Sequence, residues 1–216
     1  MPKKVVIIDY QLGNLFSVKQ ACDYLGYDAE ISFDPEKLLR ADYAILPGVG
    51  AFNDAMQKLK VFGLTEGIRD YVKTGKPMMG ICLGLQLLLS DSEEFGNTPG
   101  LDLIPGRVKK FEVQSNGQRI YKVPQIQWNT ISEPEEGRWR NTPLNVCKQG
   151  DFMYFVHSFY ASPHDTRYVL ATTAYGNQTY CSAVIKDNIF ATQFHPEKSG
   201  LYGLNIYKAW FNQFAK

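Results

Sequence analysis

The sequence predicts an α/β fold: a single domain with a central mixed, mostly parallel sheet flanked by helices, and additional antiparallel strands. Three observations carry this. Short apolar runs alternate with helical patterns from "KKVVIID" to "KPMMGIC", and such alternation implies a parallel sheet covered on both faces. The later half is richer in strands, several of which alternate as antiparallel strands with one wet face do. No repeat, low-complexity tract or linker divides the 216 residues, so one domain over 1–216 is expected.

The first run, "KKVVIID", is continuous rather than alternating and reads as a buried strand. "NLFSVKQACDYLGY" places Leu15, Val18, Cys22 and Leu25 on one helical face, and Gly26 can end that helix. "AEISF" is a second strand. "DPEKLLRA" is a short helix with Asp34 as N-cap and Pro35 in its first turn. "YAILPG" is a third strand, "AFNDAMQKLK" and "LTEGIRDYVKTG" are helical, and "KPMMGIC" is a fourth strand that runs into a leucine-rich helical pattern. Strands are then expected in "RVKKFEV", "RIYKVPQIQWN", "DFMYFVHSFYA", "YVLATTAYG", "YCSAVIKD" and "NIFATQFHPE". The closing "SGLYGLNIYKAWFNQFAK" is helical, with Leu204, Tyr207 and Phe211 on one side.

Composition narrows the function classes. With 44% hydrophobic and 21% charged residues, the chain can bury a full core. A net charge of +1 and the lack of a basic run argue against nucleic-acid binding. The short apolar run after Lys3 and Lys4 falls short of a signal-peptide core, and no stretch approaches the roughly 18–20 apolar residues of a membrane span. A cytoplasmic protein is expected. The four cysteines, Cys22, Cys82, Cys147 and Cys181, lie far apart without C-x-x-C spacing, which favours free thiols over disulfides or a metal site.

Cys82 stands apart from the other three. It ends a strand, sits between Gly80 and Gly84, and is followed at once by helix: the pattern of a nucleophile elbow. Such a turn lifts the side chain above the carboxyl end of the sheet, where ligands bind in α/β folds. The first helix amides then bring partial positive charge to the sulfur and favour a thiolate. A plain strand–helix connection with an inert thiol is the alternative. Of the three histidines, His164 in "SPHDT" reads as a solvated turn residue, and His157 in "YFVHSFY" as a packed strand residue. His195 lies just past a strand end, two residues from Glu197. Alternate side chains of an extended segment point the same way, so the carboxylate can fix the imidazole tautomer and stabilise its charged form. With Cys82 as nucleophile, an oxyanion site would follow. One donor would be the amide of Leu83; a second would come from the "PGVGAF" loop, where glycines on both sides of Val49 give freedom to flip, with an ordinary strand–helix loop as the alternative.

The set "PGVGAF", "GICLGLQ" and "QFHPEKS", in that order, resembles the class I glutamine amidotransferases, and the resemblance covers essentially the whole chain. It implies a flavodoxin-like sheet and a glutaminase. In that reading Cys82 attacks the side-chain amide of glutamine, His195 moves the proton, and Glu197 orients His195. Gly50, Gln86 and the backbone around His157, Ser158 and Phe159 would bind the amino-acid end of glutamine. No cofactor or metal is implied.

Within the family, "IDYQLGNLFSV", "VPQIQWN" and "YFVHSFYA" are most similar to the glutaminase subunits that serve imidazole glycerol phosphate and AICAR formation in histidine biosynthesis. Those chains act as heterodimers with a (β/α)8 cyclase/synthase subunit, which receives the ammonia. The resemblance implies that Lys198 forms an ion pair with that partner, that Trp128 and Asn129 sit at the ammonia exit, and that Asn14 relays the partner's state to the oxyanion loop. A core position remains the alternative for Trp128. Gln127 stands where the family pattern has glycine, and Gln11 where glycine is frequent. These departures raise the reading of a paralogue that feeds a sugar amidotransferase in surface-polysaccharide synthesis. A γ-glutamyl peptidase and a non-catalytic regulatory relative are the remaining alternatives.

Overall fold

The computed structural model describes residues 3–112 and 121–213 and, between them, the backbone of Gln114–Ser115 and Gln118–Arg119. Val113, Ile120 and residues 214–216, which the sequence assigns to two strands and the last helix, lie outside the described residues. The first half runs β1 (Lys4–Ile8), α1 (Leu15–Tyr24), β2 (Asp28–Ser32), α2 (Pro35–Arg40), β3 (Tyr43–Gly48), α3 (Phe52–Val61), α4 (Leu64–Lys73), β4 (Met78–Cys82) and α5 (Leu83–Leu87). Strands β5 (Leu89–Ser92), β6 (Thr98–Pro99), β7 (Ile104–Lys110), β8 (Gln114–Ser115), β9 (Gln118–Arg119), β10 (Gln125–Thr130), β11 (Phe152–His157) and β12 (Phe159–Pro163) follow. The chain ends with β13 (Val169–Tyr175), β14 (Gln178–Lys186), β15 (Ile189–Thr192) and α6 (Gly200–Gln213).

The main sheet holds 11 strands in the order β2-β1-β3-β4-β15-β14-β12-β7-β5-β6, with β13 also on β14. Strands β2, β1, β3, β4 and β15 are parallel to their neighbours, and the turn to antiparallel pairing comes at β15–β14. The sheet is thus mixed as expected, and parallel where it carries the site. Alternate residues of β1 enter two different cores: Val5 and Ile7 pack with α1 and α6, Val6 and Ile8 with α2, α3 and α4. Both faces are therefore covered, which is why β3 and β4 are buried along their whole length. On the α6 side, Tyr207, Trp210 and Phe211 are fully buried. The forecast cap forms, Asp34 Oδ1 accepting from the Glu36 amide at 2.8 Å, and Asn14 caps α1 as well, its Oδ1 accepting from the Ser17 amide at 3.4 Å.

Several elements depart from the sequence reading. Of "RIYKVPQIQWN", residues 121–124 lie outside any strand and β10 begins only at Gln125, and "NIFATQFHPE" is strand only over Ile189–Thr192. The helix after Cys82 ends at Leu87, and the leucine run continues as strand β5. Its carbonyls find partners far along the chain: Leu87 O accepts from the Leu101 amide, and Leu88 O from the amides of Leu103 and Ile104. Those tertiary bonds replace the next helical turn, overriding a good helical pattern. The expected strand "DFMYFVHSFYA" breaks at Ser158 into β11 and β12. The first pairs with β10 in a two-stranded ribbon, and the second joins the main sheet against β7 and β14.

Candidate active site

The loops after β1 and β3, the β4–α5 turn and the segment after β15 meet at the carboxyl ends of the parallel strands. Cys82 holds the turn with φ 55° and ψ −107°, a backbone state that costs about 1–3 kcal/mol and persists only when its surroundings enforce it. The glycines do so. A Cβ on Gly84 would lie 1.7 Å from the Leu46 carbonyl oxygen, and one on Gly80 would meet Leu88 Cδ1 at 2.9 Å. A side chain at Gly84 would push α5 off β3, and one at Gly80 would crowd Leu88 and Ala191. Gly48 is tight as well: a Cβ there would fall 2.0 Å from the Tyr10 hydroxyl, which donates to Pro47 O at 2.8 Å.

Cys82 lines a cavity of about 240 Å³. Every residue expected at the oxyanion and substrate positions lines it too: Val49, Gly50, Leu83, Gln86 and the stretch His157–Phe159. The cavity is smaller than the ~300–1,000 Å³ pockets that take drug-sized ligands and suits a compact molecule. Gly50 has φ +108°, which frees the loop around Val49 from the usual steric limits.

His195 and Glu197 are joined as expected, but not along an extended segment: β15 ends at Thr192, and Glu197 lies in a short 3-10 turn, Pro196–Lys198, that His195 precedes. Nδ1 of His195 lies 2.8 Å from Oε1 of Glu197, and their side chains are 2% and 1% exposed. The carboxylate thus takes Nδ1–H, and Nε2 is left without a hydrogen-bond partner among the described residues. Burial alone disfavours the imidazolium, but the neighbouring Cys82 and Glu197 outweigh it and push the His195 pKa up to about 10. The histidine is therefore the group in this site that readily holds a proton.

His157 has the opposite character. Burial, opposed by a bond to Phe159 O and aided by His195, pushes its pKa down to about 3. Its Nδ1–H donates to Phe159 O at 2.9 Å, and Nε2 lies 3.1 Å from the Tyr180 hydroxyl, which donates to Gln125 Oε1 at 3.0 Å. This neutral ring pins the turn between β11 and β12. His164 is exposed.

Gln86 is buried on α5, and its Nε2 donates to Phe159 O at 2.8 Å and to Gln193 Oε1 at 3.1 Å. Gln193, fully buried, donates in turn from Nε2 to Cys82 Sγ at 3.6 Å. Sequence reasoning missed Gln193, Glu94 and Tyr10. Glu94 lines the cavity while one carboxylate oxygen accepts from the Phe52 amide at 2.7 Å. It comes from a loop with no periodic pattern, whereas Gln193 could have been found by its spacing of two from His195.

The residues expected to face a partner lie beside this site. Trp128 is half-exposed on β10, opposite Tyr154, with the two ring centroids 6.0 Å apart. That removes the core position for Trp128. Gln127 and Ile126 are exposed on the same strand. The exposed Lys198 holds its ammonium 5.9 Å from the Tyr154 ring centroid, and the Tyr154 carbonyl accepts from the His195 amide at 2.9 Å. Asn129 is used inside the fold, its Nδ2 donating to Ala174 O at 2.8 Å. Asn14 caps α1, and its neighbour Leu12 borders Gly50, so this loop touches the one expected to flip.

Comparison with known proteins places the arrangement. The family profile "Glutamine amidotransferase class-I" matches residues 6–213. The chain belongs to the class-I glutamine amidotransferases. An "Imidazole glycerol phosphate synthase subunit HisH" from Syntrophotalea carbinolica is 47% identical over 207 residues, covering 94% of this chain and 97% of that one. One of the same name from Geobacter sulfurreducens is 45% identical, covering 95% of this chain and 96% of that one. Among solved structures, a chain of PurLQS from Thermotoga maritima matches with a TM-score of 0.71 at 21% identity, covering 98% of this amidotransferase and 99% of that chain. At that identity the likeness speaks for the fold alone. No helix among the described residues of this amidotransferase is long and apolar enough to cross a membrane.

Proposed function

We propose that this chain is a glutaminase subunit that hydrolyses L-glutamine to glutamate and ammonia and passes the ammonia to a (β/α)8 cyclase/synthase partner, for imidazole glycerol phosphate and AICAR formation in histidine biosynthesis. The observation that carries the chemistry is an elbow cysteine that lines one small cavity and has a buried His195–Glu197 pair as its electrostatic neighbour. The name shared by relatives at 43–47% identity over nearly the whole chain supports the pathway.

In this mechanism the Cys82 thiol gives its proton to His195 Nε2, and the sulfur attacks the carboxamide carbon of glutamine. Negative charge moves to the carbonyl oxygen, held by the amides of Val49 and Leu83. The imidazolium, stabilised by Glu197, returns the proton to the nitrogen as the C–N bond breaks, and ammonia leaves. Water then attacks the glutamyl thioester, with His195 as base. The C–S bond breaks, glutamate departs and the thiol is restored. Gln86 turns only its Oε1 toward the cavity, since both of its N–H groups are taken, and Glu94 adds a carboxylate. Both fit the α-ammonium of the substrate, while the His157–Phe159 turn takes the rest of its amino-acid end.

Ammonia released into water near neutrality becomes ammonium, which is a poor nucleophile, so direct transfer to a partner has a chemical reason. The exposed Ile126, Trp128 and Lys198 beside His195 form a surface suited to that partner. The test is glutamate release by the purified chain with and without the cyclase subunit and its ribulosyl nucleotide substrate. Strong stimulation is expected. Glutamine hydrolysis that only a sugar amidotransferase partner stimulates would move the chain to polysaccharide synthesis, where Gln127 would have its explanation.

A further inference from the structure

We propose that Gln193 is a further catalytic residue, whose side-chain N–H holds the Cys82 sulfur in its attacking position. The proposal deepens the glutaminase reading and rests on it. It follows from a chain of hydrogen bonds whose direction is set at one end. The Phe159 carbonyl can only accept, so the atom of the Gln86 amide 2.8 Å from it is nitrogen. That same NH2 lies 3.1 Å from the Gln193 amide, which must answer with its oxygen. The remaining atom of Gln193, 3.6 Å from Cys82 Sγ, is therefore its NH2. A reversed Gln193 amide would set two NH2 groups against each other and an oxygen lone pair against the sulfur.

The sulfur needs that donor. In its thiol form Cys82 faces the Val156 carbonyl oxygen at 3.7 Å and can donate to it. Once the proton has gone to His195, that carbonyl presents a lone pair to an anion, which is repulsive. The Gln193 N–H offsets the repulsion from another direction and keeps the sulfur over the cavity. The side chain is fully buried, so water does not compete for the bond. Its backbone is fixed too, the Gln193 amide donating to Ser182 O at 2.9 Å just past the end of β15.

Two substitutions separate this role from simple packing. Gln193→Met keeps the volume and removes the donor. Gln193→Glu keeps an acceptor for Gln86 and sets an oxygen against the sulfur. Each variant is assayed in complex with the cyclase subunit for glutamine kcat and KM, with ammonia-dependent synthesis as a check on assembly. Cys82 alkylation by iodoacetamide is followed on the isolated chain by peptide mass spectrometry, which separates it from Cys22, Cys147 and Cys181. Loss of one such hydrogen bond should lower kcat about tenfold in the Met variant, and further in the Glu variant, with KM changing little. Cys82 alkylation should slow in the same order. Unchanged alkylation in both variants, or a raised KM with kcat held, would overturn the proposal and leave Gln193 as a packing residue for Gln86. Because alkylation needs no glutamine, it reads the N–H···S contact even for a chain that proves not to be a glutaminase.

Discussion

Nδ1 of His195 and Oε1 of Glu197 lie 2.8 Å apart in a site that excludes water from both side chains. A buried imidazolium is stable there only while its counter-charges remain. Burial lowers the His195 proton affinity, and Cys82 and Glu197 together raise it to about 10, above the ordinary 6.5. A group whose folded pKa is raised contributes stability that is full below its unfolded pKa and is lost as pH climbs through the folded value. Glu197→Gln should therefore cost most in melting temperature at and below about pH 6.5 and progressively less toward pH 10. Its kcat should fall about a hundred- to ten-thousand-fold. Melting curves across pH and steady-state kinetics check both. A stability loss that grows toward pH 10 would contradict the charged pair.

Cys82→Ala should abolish glutamine-dependent synthesis by the assembled enzyme and leave ammonia-dependent synthesis intact. The methyl group fits where the thiol was, and the partner's own site is untouched. Loss of both activities would give Cys82 a structural role. The same variant removes the largest influence that raises the His195 pKa, so its imidazole proton resonances in NMR should titrate at lower pH than in the parent chain.

How far the sequence revealed this site depended on how local each cause was. Glycine–cysteine–glycine after a buried strand and histidine two residues from glutamate are short-range patterns with short-range geometry, so Cys82, His195 and Glu197 could be read directly. The parallel half of the sheet was legible for the same reason. The end of α5 was not, because amides of Leu101, Leu103 and Ile104 from later in the chain take its next carbonyls. Trp128 was ambiguous because alternation on one strand marks a face without saying what covers it. Glu94 belongs to an acidic turn that looks like any solvated loop until the fold turns it toward Cys82.

Glu94→Gln should raise the KM for glutamine about tenfold, with a smaller effect on kcat, because it removes the charge offered to the substrate's ammonium far from the reacting carbon. The amide oxygen can still accept from the Phe52 amide, so the loop should hold. Steady-state kinetics on the complex decide this. A change confined to kcat would place Glu94 outside substrate recognition.

Gly84→Ala tests the packing that forces the elbow. The new methyl would lie 1.7 Å from a backbone oxygen of β3, which no rotamer change relieves. A loss of about 3 kcal/mol in urea unfolding is expected, as for other overpacked sites. Gly26→Ala is the control: its φ of +80° strains an alanine, but nothing lies within 4 Å of the added carbon, and about 1 kcal/mol is expected. Equal losses would mean that the elbow relaxes more readily than its contacts imply.

The exposed ribbon and the lysine beside the site make the last test. Trp128 is 50% exposed and Lys198 is exposed, so neither is held by the core of the free chain. Trp128→Ala and Lys198→Ala should each change the stability of the isolated chain by no more than about 0.5 kcal/mol. A half-exposed tryptophan with an isoleucine beside it is the composition of an interface centre, where truncation costs about 2 kcal/mol or more. Trp128→Ala should therefore weaken assembly with the cyclase subunit roughly thirtyfold in Kd. Lys198 differs in kind. It sits next in sequence to Glu197 and over the ring of Tyr154, whose carbonyl holds the His195 amide. A partner carboxylate that drew Lys198 away would pull on the segment that positions the base. Lys198→Ala should accordingly reduce the stimulation of glutamate release more than it reduces assembly. Calorimetry for binding and glutamate release at saturating partner separate the two effects. Stimulation that falls only in proportion to binding would make Lys198 a docking residue without influence on His195.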